Sequence, residues 1–170
     1  MQFVINNPYG ILGLIANDSS REKKKRVADL ETFAELGKQK KYSLDLIEIA
    51  PLTRTVDTIQ QAAKDIESDT DKLVYAFFWF AKVDSVDDLS IECIENNAVQ
   101  KAFEIWDQQI SKDENEAKFS WRLNRAVISL FRSQAPQFDS INFELALADL
   151  GYLTDEHFDE VKDFVFGKNS

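Results

Sequence analysis

Few side chains in this sequence are of the types that carry out covalent or metal-dependent chemistry. His157 is the only histidine, and it lies in an acidic stretch beside Asp159 and Glu160. A metal site needs three or four convergent ligands, so we interpret His157 as an exposed residue of an acidic helix rather than a ligand. Cys93, the only cysteine, has no neighbouring base or cationic helix start. We therefore expect a buried structural thiol at this position and not a nucleophile.

The same scarcity bears on catalysis in general. No Ser-His-Asp or Cys-His arrangement is possible without His157, whose acidic setting suits a general base poorly. The segment from Gly10 to Gly13 follows no strand and lacks the lysine of a phosphate-binding loop. The sequence thus predicts no catalytic residue, no metal and no cofactor, and we expect a protein that is not an enzyme. Paired-carboxylate chemistry stays open as an alternative, because acidic residues distant in sequence converge only through the fold.

A set of cations near the start of the chain stands out from the background. Residues 1–54 carry nine Lys and Arg against seven Asp and Glu, whereas residues 55–170 carry eleven against twenty-three. A solvated helix face is the simpler interpretation, and a docking surface for another protein is the functional one. The candidate partner-binding residues are Arg21, Lys23, Lys24, Lys25, Arg26, Lys38, Lys40 and Lys41. The net charge of −10 disfavours nucleic-acid binding, although this patch keeps it as an alternative.

Composition also restricts the compartment. A single cysteine excludes an internal disulfide and is typical of a reducing environment. No basic segment followed by a long apolar segment opens the chain, as a signal peptide would require. The longest apolar run, from Leu73 to Ala81, is about half the length needed to cross a bilayer. We expect a cytoplasmic protein without a membrane span; the oligomeric state stays open.

Helical signals follow one another along the whole chain and predict an all-α fold. The 13 Phe and 3 Trp indicate a packed core, while 5 Gly and 3 Pro are too few for a protein of strands and tight turns. Asn7 and Pro8 form a helix start, and Ser19 with Glu22 forms a capping box. Gly37 ends the helix that follows. Residues 38–54 read as an ordered but irregular connection.

The second half predicts helical hairpins. Residues 87–95 pair with 98–111, and 114–133 pair with 140–150, where Gly151 ends the helix. A last helix at 154–166 has no partner in this scheme, so it either caps the array or the chain continues beyond Ser170. The segment Leu73–Ala81 is apolar on every side, which predicts a central helix packed between both halves. We expect two domains, residues 1–82 and 83–170.

Three segments of the first domain resemble the J domain of chaperone cofactors. Asn7–Leu14 is similar to the segment that forms helix I of that family, and the basic Arg21–Arg26 resembles helix II. Ala63–Lys72 resembles the junction between helices III and IV. The resemblance covers about residues 6–80 and implies a J-domain-like helical fold.

The resemblance ends at the loop between helices II and III. There the family carries His-Pro-Asp, the tripeptide that stimulates the ATPase of its heat-shock partner. Here Lys38–Arg54 contains no histidine, and Pro51 is followed by Leu52. We therefore expect a J-like fold without this stimulation, and we expect the apolar residues of 42–50 to pack on the protein itself while the three lysines stay exposed.

The second domain is similar to tetratricopeptide-type hairpins at Asn96–Trp106 and again at Asn142–Leu147. Together the two resemblances imply a non-enzymatic protein–protein interaction module that is chaperone-like in fold, with another protein as partner. The alternatives are an active co-chaperone with a diverged loop, a carboxylate-based enzyme, and nucleic-acid binding through the basic patch.

Overall fold

A computed structural model of the chain describes residues 2–46, 52–134 and 137–167. The described residues form helices and contain no strand, so the predicted all-α class is confirmed. The helices are α1 (Gln2–Ile5), α2 (Pro8–Leu12), α3 (Ser20–Glu35), α4 (Val56–Asp65), α5 (Asp69–Ala76), α6 (Ser85–Glu95), α7 (Val99–Lys112), α8 (Phe119–Arg132), α9 (Ser140–Glu156) and α10 (Phe158–Phe166).

The first helix starts follow their sequence signals closely. The Asn7 side chain accepts a hydrogen bond from the Tyr9 amide, and Pro8 occupies the first position of α2. Ser19 caps α3 by accepting from the amide of Glu22 at 3.1 Å. Only this half of the predicted capping box is described. The Glu22 carboxylate, which would form the other half, instead contacts Arg26 one turn later.

Helices α3 and α4 pack against each other in opposite directions. Near the start of α3, the Lys23 ammonium donates to the carbonyl oxygens of Ala63 and Ile66 at the end of α4. Two turns further along α3, Glu31 accepts from Gln60, which lies nearer the start of α4. Helix α2 packs against both. This arrangement leaves the outer face of α3 in solvent.

The predicted helix at Leu73–Ala81 is wrong in its second half, but its predicted position between both halves of the chain is confirmed. The Trp79 indole donates to the Leu14 carbonyl, and Phe80 stacks on Trp106. Helix α5 ends at Ala76, which is its only buried residue, and Val74 is 41% exposed. The chain then continues through a turn, and the following Trp79 and Phe80 are buried outside any helix. The apolar residues on every side correctly predicted that this segment is buried. Its backbone, however, is held by two turn hydrogen bonds and by the Asn124 side chain of α8, and not by helical hydrogen bonds.

Helix α8 takes the central position among the described helices. Twelve of its fourteen residues are buried. It packs against α7 and α9, and it also contacts α1 and α6. The sequence predicted a helix here but not its central position, because Arg122, Asn124 and Arg125 interrupt the apolar pattern. These polar side chains are nevertheless buried and hydrogen-bonded.

The predicted pairing of helices in the second half is confirmed for α6 with α7 and for α8 with α9. Helix α9, however, runs through Gly151 to Glu156, so the predicted stop at Gly151 is wrong. The buried Leu153 lies beyond the glycine, and its packing outweighs a helix cost of about 1 kcal/mol for glycine.

The last helix has packing partners that the sequence did not reveal. Helix α10 lies against α9 and reaches across to α5 of the first half. Phe158 stacks on Phe77 with ring centroids 5.8 Å apart. Buried apolar residues from both halves form one continuous cluster. The division into two domains at 82/83 stays a prediction.

Candidate functional site

The predicted basic cluster divides into two groups with different surroundings. Arg21, Lys24 and Lys25 lie on the outer face of α3, are exposed, and form no ion pair with another described residue. Lys38 and Lys41 are likewise exposed, beyond the end of α3. We call these five residues the basic face.

The other three predicted cations are bound within the fold. Lys23 fastens α3 to α4, as described above, and burial lowers the pKa of its ammonium group, an effect that Glu67 opposes. The Arg26 guanidinium donates to the Gly13 carbonyl at 2.7 Å, and Lys40 forms an ion pair with Asp29 at 3.7 Å. These cations serve the structure, and only the basic face is open to a partner.

Contacts made by Lys40 and Tyr42 show the path of the connection after α3. Lys40 lies 5.1 Å from the Phe33 ring centroid, whereas the Tyr42 ring lies 4.1 Å beneath the guanidinium of Arg26. Since Arg26 precedes Phe33 by two turns, the chain from 40 to 42 returns along α3. Lys41, between Lys40 and Tyr42, therefore lies beside the middle of α3.

A buried ion pair that the sequence did not reveal fastens this connection. Arg54 and Asp45 form two hydrogen bonds of 2.6 and 2.7 Å, and each side chain is 4% exposed. The guanidinium also donates to the carbonyl oxygens of Gly10, Ile11 and Lys40. One side chain thus joins α2, the start of α4 and the connection after α3.

Apolar burial acts in the same direction as the ion pair. Leu44 and Leu46 are 7% and 6% exposed, in agreement with the prediction that this segment packs on the protein. Lys38 and Lys41 are exposed as predicted, but Lys40 is half-buried. The part of the prediction that concerns residues 47–50 lies outside the described residues.

A groove of about 620 Å³ lies between the start of α3 and the end of α10. Its apolar floor includes Tyr9, Leu14 and Ile66, all of them buried. The Tyr9 hydroxyl donates to a backbone carbonyl, and burial raises the pKa of this phenol. The rim carries both charges, contributed by Lys23, Lys72, Asp18 and Asp163. No histidine or cysteine is among the described residues that line this groove.

A second depression, of about 450 Å³, adjoins this groove at α10 and shares Asp163 and Phe164 with it. Val83, Phe119 and Phe164 form its apolar surface, and Glu160 and Asp163 line its edge. Near it, Asp84 accepts hydrogen bonds from Lys118 at 2.6 Å and from the Trp121 indole at 3.3 Å. Burial by itself raises the pKa of Asp84, but these bonds, together with one from a backbone amide, lower it below its usual range.

The carboxylates buried most deeply serve the fold. Asp87 is fully buried and accepts from the Trp106 indole and from Asn124, at 2.9 and 3.0 Å. Burial raises the pKa of Asp87, and its hydrogen bonds offset only part of that rise. Asp149 is held by Arg125 through two bonds of 2.7 and 2.8 Å. Polar residues within an otherwise apolar stretch were the sequence signal for these pairs.

The two residues first considered for chemistry line neither depression. Cys93 is buried, as predicted for a structural thiol. His157 lies at the junction of α9 and α10, and its Nδ1 is 2.7 Å from the Glu160 carboxylate. Its side chain is 15% exposed, which corrects the expectation of a fully exposed histidine, because the ring packs against Tyr152.

Among the described residues, no group of three or more His, Cys, Asp and Glu side chains is arranged to hold a metal ion. No described helix has both the length and the apolar character to cross a membrane. Comparison of the chain with protein-family models, with curated protein sequences and with solved structures found no match. The structure defines an all-α protein with an exposed basic face and a connection that is fastened to the body.

Proposed function

We propose that this chain is a non-enzymatic protein–protein interaction module, with a J-domain-like first half that does not stimulate a chaperone ATPase. The observation that carries the proposal is the fastened connection between α3 and α4. A stimulating J domain presents a tripeptide there for its partner. Here the described part of the connection is tied down by Arg54, Asp45, Leu44 and Leu46.

The arrangement of the first helices supports the J-domain-like part of the proposal. A short helix, α2, packs on two longer antiparallel helices, and a fourth helix, α5, follows after a short turn. This is the order that the resemblance implies. The absence of His-Pro-Asp from the sequence concerns the activity and not the helices.

The basic face supports the choice of a protein as partner. Five cations are exposed there and form no ion pair with a described carboxylate, in a chain whose net charge is −10. Such a local concentration of charge favours an acidic surface and speeds the encounter with it. Nucleic acid is disfavoured because the rest of the molecule repels phosphate.

The hairpins α6–α7 and α8–α9 support a second point of contact in the same module. They present apolar side chains to solvent at Leu89, Phe138 and Ile141, which are 51%, 63% and 79% exposed. In our proposal these exposed apolar side chains contribute to a protein-binding surface. Our proposal is therefore an adaptor whose two halves bind protein.

The decisive experiment measures ATP turnover by a cognate heat-shock chaperone. Addition of the purified chain should leave turnover unchanged, while an authentic J-domain protein in the same assay should raise it. Stimulation by the chain that disappears in the variant K24E/K25E would establish an active co-chaperone and refute this proposal. The variant spares Lys23, whose loss would disturb the contact between α3 and α4.

A binding experiment tests the partner-binding part. Proteins captured from the source cell by the wild-type chain should be lost with K24E/K25E and retained with K101E/K112E. Both variants change the charge equally, and Lys101 and Lys112 are exposed on α7, away from the basic face. Equal capture by the two variants would remove the basic face from the proposal.

A further inference from the structure

The depression beside α10 combines an apolar surface with an acidic edge. Phe119 and Phe164 pack with ring centroids 5.7 Å apart and planes inclined by 59°. Val83 completes the surface and is 46% exposed. The space of about 450 Å³ is large enough for one or two side chains of another molecule. An apolar hollow that remains open to water is a place where an inserted apolar group gains free energy.

The acidic edge is formed by neighbours on one face of α10. Glu160 and Asp163 are three residues apart, so their side chains lie one above the other, and both are exposed. The carboxylate of Glu160 contacts His157, and the carboxylate of Asp163 forms no ion pair with a described residue, although Lys23 and Lys72 line the neighbouring groove with it. Three further exposed acids precede them: Asp155, Glu156 and Asp159.

Nearby cations do not neutralise this edge. Lys118 adjoins Phe119, but its ammonium is paired with Asp84 at 2.6 Å. Lys162 is two residues from Glu160 and therefore lies on the opposite side of the helix. Because neither Glu160 nor Asp163 pairs with a described lysine or arginine, the edge carries a negative potential that favours a cationic ligand.

We propose that this depression docks a basic amphipathic segment of a partner protein. An apolar side chain of the segment enters between Val83, Phe119 and Phe164. Lysine or arginine side chains next to it pair with Glu160 and Asp163, and their aliphatic stems cover the rim of the hollow. Charge complementarity selects this occupant, since an acidic segment would meet the carboxylates of Glu160 and Asp163. The surface is separate from the basic face and does not depend on the function proposed for it.

The test uses the full chain and a labelled synthetic peptide. The peptide is an amphipathic helix of leucine and lysine, and its control carries glutamate in place of every lysine. Fluorescence anisotropy should show saturable binding of the lysine peptide at one site per chain. The glutamate peptide should bind at least about tenfold more weakly, and added salt should weaken the lysine peptide.

Variants separate docking in the hollow from unspecific attraction between charges. E160Q/D163N should weaken the lysine peptide by about tenfold, and V83W, which fills the hollow, by about fivefold. The matched control D57N/E144Q removes two exposed carboxylates elsewhere and should change affinity less than about twofold. Circular dichroism checks that each variant is folded; the substitutions are all at exposed positions.

Several results would overturn the proposal. Binding that V83W leaves unchanged would mean attraction by charge alone, without use of the hollow. Equal losses in E160Q/D163N and D57N/E144Q would mean that no particular carboxylate matters. An absence of saturable binding would remove the site altogether. Sedimentation showing that the free chain self-associates through this face, and that E160Q/D163N abolishes the association, would make a second copy the occupant instead.

Discussion

Loss of the charge on Asp45 should destabilise the protein by about 3 kcal/mol, because it leaves a buried guanidinium without its counter-ion. The conservative change is Asp45→Asn, which keeps the volume of the side chain. Arg54 cannot release its proton, so its charge stays in a site where it is 4% exposed. Removing one partner of a buried pair costs about 3–5 kcal/mol in general. We expect the lower end, since three backbone carbonyls still accept from Arg54.

Replacement of Arg54 should lower the free energy of unfolding more than replacement of Asp45. In Arg54→Met the carboxylate of Asp45 loses both guanidinium donors, and the carbonyl oxygens of Ile11 and Lys40 lose theirs, whereas the Gly10 carbonyl still accepts from the Gly13 amide. Each buried carbonyl left without a donor costs about 1–3 kcal/mol, so a total of about 5 kcal/mol is expected. The double variant should lose less than the sum of the single losses, because neither charge then remains unpaired.

Urea unfolding followed by tryptophan fluorescence and by circular dichroism measures these losses. Limited proteolysis adds a local measurement: Asp45→Asn should expose cleavage sites in residues 38–46 that are protected in the wild type. The exposed Asp57→Asn serves as a control and should change the free energy of unfolding by less than about 0.5 kcal/mol. A loss below 1 kcal/mol in Asp45→Asn, with unchanged proteolysis, would refute the idea that this pair fastens the connection.

Three further changes test other parts of the structure. Phe77→Ala should lower the free energy of unfolding by about 3–5 kcal/mol, since the Phe77 ring is only 8% exposed. Gly13→Ala should cost about 2–4 kcal/mol, because Gly13 has a φ of +62° and an added Cβ would lie 2.5 Å from the Tyr42 ring. Asp84→Asn should make the free energy of unfolding less sensitive to acid, because the pKa of Asp84 is lowered in the folded protein. The stability that this carboxylate contributes is present above its unfolded pKa of about 4 and is lost as the pH falls through the folded pKa.

The outcomes that contradict these three predictions are distinct. Unfolding of Phe77→Ala at the wild-type urea concentration would place this ring outside the core. Gly13→Ala as stable as the wild type would mean that the backbone at residue 13 is not left-handed. For Asp84→Asn, the difference from the wild type should shrink between about pH 5 and about pH 2. A difference that stays constant with pH would show that the carboxylate of Asp84 contributes nothing through its charge.

Local signals in the sequence predicted several helix starts and ends, but the starts predicted at 114 and 154 were wrong, since α8 begins at Phe119 and α10 at Phe158. Asn7 with Pro8, and Ser19, form the starts that their side-chain chemistry favours. Gly37 follows the end of α3 with a φ of +65°, the left-handed conformation that glycine adopts without strain. These features depend on interactions within a few residues, which is why a single sequence suffices to predict them.

Predictions that required knowledge of distant partners were wrong or incomplete. The apolar run from Leu73 to Ala81 gave burial but not backbone conformation, because Asn124 on α8 pairs with the backbone of Ala81. For the candidate site, the sequence suggested eight cations. Five of them are exposed and form no ion pair with a described residue. Lys23 is bound within the fold and Lys24 is exposed because α4 lies against only one side of α3.

The sequence by itself determined the helical class, the helix starts at Asn7 and Ser19, and the charge asymmetry between the two parts of the chain, since these depend on residue types and short spacings. Tertiary structure alone decided which helix is central, which cations reach solvent, and that α10 forms an acidic hollow with residues of α8. It also decided the pairing of Arg54 with Asp45, which are nine residues apart without a periodic pattern between them. The physical reason is that burial and charge pairing depend on distances in space, and spacing along the chain fixes those distances only within one helix.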